Sequence, residues 1–187
     1  DFFTGKIAES VSRGELYNED PITGDARFCA TTASMCGIES AGFEQNEEKK
    51  KRAVRFDLML HAYMMVQSGI PMLYSGDEIG QVNDYDYKKN PDIAADSRYL
   101  HRSPFQWDNA DKRKEAGTVQ YEIWHGLKQM EEMRRQEDCF GETASISTWD
   151  TGNYAVFAIR RTVGNEELIC LANFSEYGQN GEENEKI

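Results

Sequence analysis

The sequence predicts an α/β chain in which a helix–strand–helix segment precedes the first strands of an antiparallel β domain. Three patterns predict it. Residues 47–67 and 116–136 carry apolar side chains at helical spacing. Between them Pro71–Ser75 is a short apolar run bounded by glycines, the pattern of a buried, parallel-type strand that starts on proline. After residue 138, alternating and β-branched runs are separated by turn dipeptides.

Along the chain, residues 1–25 are rich in Gly, Asn, Asp, Ser and Pro and read as a long loop. A short helix is expected over 27–37, broken at Gly42–Asn46, with Asp25 placed to cap a helix. The helix of 47–67 follows, with Phe56, Leu60, Tyr63 and Met64 as its apolar stripe. Glu47 and Glu48 complement its dipole, and Lys49–Arg52 reads as a solvated face paired with acidic neighbours.

The strand of 71–75 ends in Gly76-Asp77-Glu78-Ile79-Gly80, whose glycines supply sharp-turn dihedrals. Asp77 and Glu78 are adjacent, so at a strand end they point to opposite faces and read as carboxylates anchoring backbone amides. Residues 81–104 form a long polar loop, of a length that is usually functional or disordered. Asp84-Tyr85-Asp86 fails as a calcium loop, with Lys89 and Ala95 where glycine and glutamate are needed. The second helix, 116–136, carries the stripe Val119, Ile123, Leu127, Met130 and Met133.

Strands are expected at 146–149, 154–161 and 167–174, separated by Asp150–Asn153 and Gly164-Asn165. Two domains are thus expected, 1–138 and 139–187, with a frayed tail at 181–187.

The 187 residues hold 33 Asp plus Glu against 21 Lys plus Arg, a net charge of −12. That sign argues against nucleic acid or an anionic membrane as partner. No apolar run is long enough to span a bilayer, and Asp1–Thr4 lacks the features of a secretory leader. With no initiating Met, the chain is expected to be a piece of a longer protein. Cys29, Cys36, Cys139 and Cys170 show no metal-ligand spacing and read as free buried thiols of a reducing, cytoplasmic compartment. Cys29 and Cys36, seven apart, are expected on one helix face.

The run Gly69-Ile70-Pro71-Met72-Leu73-Tyr74-Ser75-Gly76-Asp77-Glu78-Ile79-Gly80 resembles the last barrel strand of glycoside hydrolase family 13, the α-amylase superfamily. Asn18–Arg27 and Asp96–Arg102 resemble segments of its amylosucrase branch. Arg102–Trp107 is similar to a run of the oligo-α-glucosidase branch, and Leu171–Ser175 to a strand of the family's C-terminal β domain. The resemblance implies a partial (β/α)8 TIM barrel followed by the start of a C-terminal antiparallel β-sandwich. The barrel part is the segment after strand 7, helix 7, strand 8 and helix 8. Active sites of such barrels lie in the loops at the strands' C-terminal ends.

An amylosucrase-like activity is implied, passing a glucosyl unit from sucrose to a glucan or to water. An α-glucosidase or α-amylase-type hydrolase of α-glucan oligosaccharides is the alternative, and a non-catalytic piece that binds glucan weakly is another. Retaining chemistry needs two carboxyl groups roughly 5 Å apart. The family's catalytic carboxylates sit on strands 4 and 5 and in a His-Asp motif, and the histidines here, His61, His101 and His125, are followed by no Asp. No catalytic residue, metal or cofactor is therefore expected, and the isolated chain is expected to be inactive.

The resemblance implies that Arg98 closes the floor of a glucosyl pocket, paired with an Asp from another loop, where an exposed loop arginine is the alternative. Arg102 takes that place if the loop follows the oligo-glucosidase branch. Arg27, with Asp25 beside it, falls on the acceptor side. Trp107 and Tyr85 are candidates for stacking on sugar or for loop packing. One barrel strand without neighbours exposes both edges, so the piece is expected to dimerise.

Overall fold

A computed structural model describes residues 1–175 and 177–179; the tail at 181–187 lies outside them. Two compact units emerge, residues 1–58 with 73–127, and residues 59–72 with 128 onward.

In the first unit, β1 (Glu15–Tyr17) and β2 (Arg27–Cys29) pair antiparallel, with Leu16 opposite Phe28. The Asp20 carboxylate shapes their connection by accepting from the amides of Ile22 (2.8 Å) and Thr23 (2.9 Å). The expected loop of 1–25 therefore contains a strand, and the helix expected from Arg27 begins instead as β2. Cross-strand pairing captures Arg27–Cys29 before a helix can start. Helix α1 (Thr32–Met35) is capped by Thr31, whose hydroxyl accepts from the Ser34 amide at 3.2 Å. Gly37, at φ 97°, breaks it from α2 (Ile38–Phe43). Cys29 and Cys36 thus do not share a helix face, and Gly42 lies inside α2 rather than ending it. Asp25 caps no helix, and its own amide donates to the Thr23 hydroxyl.

Helix α3 (Glu47–Val66) starts where the Asn46 side chain accepts from the Lys49 amide. Its basic run is solvated and paired, Lys49 with Glu44, Lys50 with Glu47 and Lys51 with Glu48. The stripe read from the sequence is not the buried one. Ala53, Val54, Asp57, His61, Met65 and Val66 are buried, whereas Phe56 and Tyr63 are exposed. Periodicity of apolar residues misses this face because it includes a buried Asp and His.

Residues 71–74 form no strand. A strand exists through hydrogen bonds to a neighbour, and among the described residues none pairs with this segment. Ile70 and Met72 are 91% and 79% exposed, opposite to a buried run. The described residues accordingly hold helices and small antiparallel sheets, with no closed barrel.

The polar loop after Gly80 is a series of 3-10 turns, Tyr85–Lys89 and Ser97–His101, followed by α4 (Trp107–Ala110). Helix α5 (Val119–Gln136) is capped by Thr118, whose hydroxyl accepts from the Tyr121 amide. Of the predicted stripe, Ile123 and Leu127 are buried, whereas Met133 at its end is exposed. A Cβ at Gly126 would lie 2.6 Å from Leu58, so glycine allows α3 and α5 to approach there.

The second unit contains a three-stranded antiparallel sheet in the order β3 (Ser145–Trp149), β4 (Val156–Val163), β5 (Glu166–Asn173). Gly164-Asn165 forms the two-residue turn between Val163 and Glu166, with Gly164 at φ 56°. Arg161 on β4 is only 2% exposed. It donates to the carbonyls of Cys139 (2.6 Å) and Val66 (3.0 Å). Arg134 donates to the carbonyls of Met65 and Gly69, and both guanidinium groups lie 5.2 Å from the Phe140 ring. Two cations thus satisfy the carbonyls at the C-terminal end of α3 and complement its dipole.

Candidate functional site

Two of the residues singled out in the sequence, Arg27 and Arg98, both lie beside Tyr17 in the first unit. Asp96 caps the turn Ser97–His101 by accepting from the Arg98 amide at 3.0 Å. The same carboxylate takes the Arg98 guanidinium in a fork, Nε to Oδ1 at 2.8 Å and Nη2 to Oδ2 at 2.6 Å. Arg98 hydrogen bonding holds the Asp96 carboxyl down at about 2, against an ordinary value of 3.8. Within this chain Arg98 is engaged by its neighbour Asp96. A cap carboxylate sits under the first turn, where the side chain two residues on reaches it.

The Arg98 guanidinium lies 4.6 Å from the ring centre of Tyr17. Ser97 donates from Oγ to the Leu16 carbonyl at 2.8 Å, which joins the turn to β1. Tyr17 is also the cross-strand partner of Arg27. The structure thus brings Arg27, Tyr17 and Arg98 to one edge. Sequence reasoning missed Tyr17, although it directly precedes the Asn18–Arg27 segment that drew attention. Arg102 and Asp25 are exposed, and neither joins the fork.

A second network fixes the loop around this edge. Buried Glu39 accepts from Ser34 (2.5 Å) and from the Tyr85 hydroxyl (2.8 Å). Burial pushes the Tyr85 phenol up to about 12. The Tyr87 hydroxyl and Lys88 both donate to Glu15 on β1. Asn83 accepts from the Thr31 amide (2.9 Å) and donates to the Arg13 carbonyl (3.0 Å). The Tyr85 hydroxyl is thus fixed to Glu39 while the side chain remains 38% exposed. Trp107 is 74% exposed and meets Phe105 edge-on. His101 lies edge-on to Tyr74, and burial lowers its pKa.

Asp77 accepts from the Tyr74 amide (2.9 Å) and Glu78 from the Gly76 amide (2.8 Å). Both anchor the turn, as their adjacency in the sequence suggests. Among the described residues no group of three or more His, Cys, Asp and Glu is placed to hold a metal, and no helix is long and apolar enough to cross a membrane.

Chemically, this edge offers a planar cation beside an aromatic ring and a carboxylate already engaged by its own arginine. Such a set is able to hydrogen-bond polar groups through its remaining donors; it lacks a nucleophile beside an acid. No protein-family model matches the chain. The chain is similar to an oligo-1,6-glucosidase of Parageobacillus thermoglucosidasius, 24% identical over 164 residues, covering 63% of this chain and 29% of that protein. The chain therefore spans 29% of the length of the curated relative it matches.

Proposed function

We propose that the chain forms part of an α-glucan-active enzyme of the α-amylase superfamily, acting as an α-glucosidase on oligosaccharides. The alignment with an oligo-1,6-glucosidase carries this reading. In it, residues 71–75 become the last barrel strand once neighbouring strands are present, α3 and α5 are helices 7 and 8, and β3–β5 open the C-terminal β domain. Arg98, stacked near Tyr17 and fixed by Asp96, borders the sugar pocket, with Arg27, Arg102 and Asp25 around it. The catalytic carboxylates lie outside this chain, and the enzyme is cytoplasmic.

Amylosucrase-type transfer from sucrose is the second reading. The two segments that resemble that branch adjoin, through the Ser97–Leu16 hydrogen bond and the Arg98–Tyr17 contact. The test is to incubate the full-length polypeptide and the 187-residue chain with isomaltose, maltotriose and sucrose. Glucose released from the first two by the full-length protein supports hydrolysis; fructose released from sucrose supports transfer. A full-length protein inert on all three sinks both readings. Turnover by the chain alone would place catalytic carboxylates within it. Exposed Ile70 and Met72 favour self-association of the isolated chain; a strictly monomeric species in sedimentation at high concentration contradicts that.

A further inference from the structure

Within the first unit, the imidazole of His101 closes the turn Ser97–His101 and lies edge-on to Tyr74, with ring centres 6.1 Å apart. Its Nδ1 is sealed from solvent and has no hydrogen-bond partner among the described residues. Buried polar atoms are normally bonded, so an orphan calls for a reason. The same turn carries Arg98 and is anchored near both ends. Ser97 donates to the Leu16 carbonyl, and the carbonyl of wholly buried Leu100 accepts from the Asp84 amide at 2.9 Å. The Arg102 amide then donates to the Tyr99 carbonyl at 3.3 Å, just past the ring.

The two protonation states differ at this atom. A neutral imidazole can leave a bare lone pair at Nδ1, whereas an imidazolium carries an N–H on both nitrogens. A buried N–H without an acceptor costs its desolvation, and a buried charge costs more. The groups around the turn are engaged elsewhere. Glu15 on β1 accepts from Tyr87 and Lys88, and Asp86 pairs with Lys89. Tyr17 faces Arg98, the Tyr85 hydroxyl donates to Glu39, and Asp84 accepts from the Asp86 amide. Arg27 and Cys29 come from β2, and Asp77 accepts from the Tyr74 amide. None of them bonds Nδ1. Burial and the Arg102 cation hold the His101 pKa below its ordinary 6.5, against the Asp96 carboxylate, which Arg98 already takes.

We propose that His101 is an acid-sensitive latch: neutral, it seats the turn against Tyr74; protonated, it leaves that seat and loosens the turn that carries Arg98. The folded value lies below the ordinary one, so the penalty is absent above 6.5 and grows as pH falls from there towards the folded value. The latch acts whatever Arg98 contacts and does not rest on the activity proposed above.

The test is an NMR titration of the isotope-labelled 187-residue chain from about pH 8 to about pH 5, the range in which imidazoles titrate. The His101 ring should take up its proton below 6.5. The Tyr74 ring and the amides of Arg102 and Asp84 should shift with the same midpoint. Protection of the Asp84 amide against hydrogen exchange should fall at least about threefold across it. His101→Phe keeps an aromatic ring against Tyr74 without a titrating group, so both the shifts and the loss of protection should vanish. The same pH response in His101→Phe overturns the latch. Should that variant fail to fold, the unaltered chain decides alone. A His101 midpoint at or above 6.5 overturns the latch, as does a ring titration that moves neither Tyr74 nor the Asp84 amide.

Discussion

The loop of residues 81–104 and the sheet of β3–β5 are held by different bonds. Each strand of the sheet finds its partner a few residues away, and main-chain pairing runs from Val156↔Asn173 to Val163↔Glu166. The loop has only short 3-10 turns, and is secured by side chains that reach far in sequence. Asn83 bonds to Thr31 and Arg13, Tyr85 to Glu39, and Tyr87 to Glu15. A ladder distributes its stabilisation over many equivalent bonds, whereas the loop depends on a few particular residues. Single substitutions should therefore matter more in the loop, with one exception in the second unit.

That exception is Arg161, and removing it should have the largest effect. Arg161→Met leaves the carbonyls of Cys139 and Val66 without their buried charged donor. A loss of about 2–4 kcal/mol is expected, read from urea unfolding. An unchanged midpoint would mean that the ladder alone holds this unit. Asn83→Ala should cost about 1–3 kcal/mol, because the Thr31 amide and the Arg13 carbonyl both lose a partner. Hydrogen exchange should show the Thr31 amide opening faster while the amides of β4 do not change. Equal acceleration in both places would erase the distinction between the regions.

Tyr85→Phe removes one phenolic hydrogen bond to Glu39 and should cost about 1 kcal/mol in the same unfolding assay. The smallest effect is at Asp96. Its folded pKa, about 2, lies below the ordinary value of 3.8. Its contribution is therefore present above the unfolded value and is lost as pH falls through the folded one. Carboxyl ¹³C titration should place its midpoint near 2, and Arg98→Gln should return it towards the ordinary range. A midpoint that ignores Arg98→Gln would sever the fork from the site.

The difference between these regions also explains what was legible. The hairpins were readable because Gly164-Asn165 and the Asp150–Asn153 turn act over neighbouring residues. The Ile123–Leu127 stripe of α5 was readable for the same reason. Arg98, Arg27 and Arg102 were singled out by local motifs. The Asp96 partner and the Tyr17 contact were not read, since one depends on the cap's geometry and the other on β1 reaching the turn. On α3 the buried face was missed because Asp57 and His61 belong to it, and only packing shows that a polar residue faces inward.

By itself the sequence determined the two long helices, the antiparallel hairpins and the anchoring role of Asp77 and Glu78, because their causes lie within a few residues. Tertiary structure decided the rest. It converted Arg27–Cys29 from helix to strand, because β1 offered a pairing edge. It left Pro71–Tyr74 unpaired, because a strand is defined by its neighbour and none stands beside it among the described residues. It also placed Tyr17 against Arg98, because contacts between residues distant in sequence depend on how the chain packs.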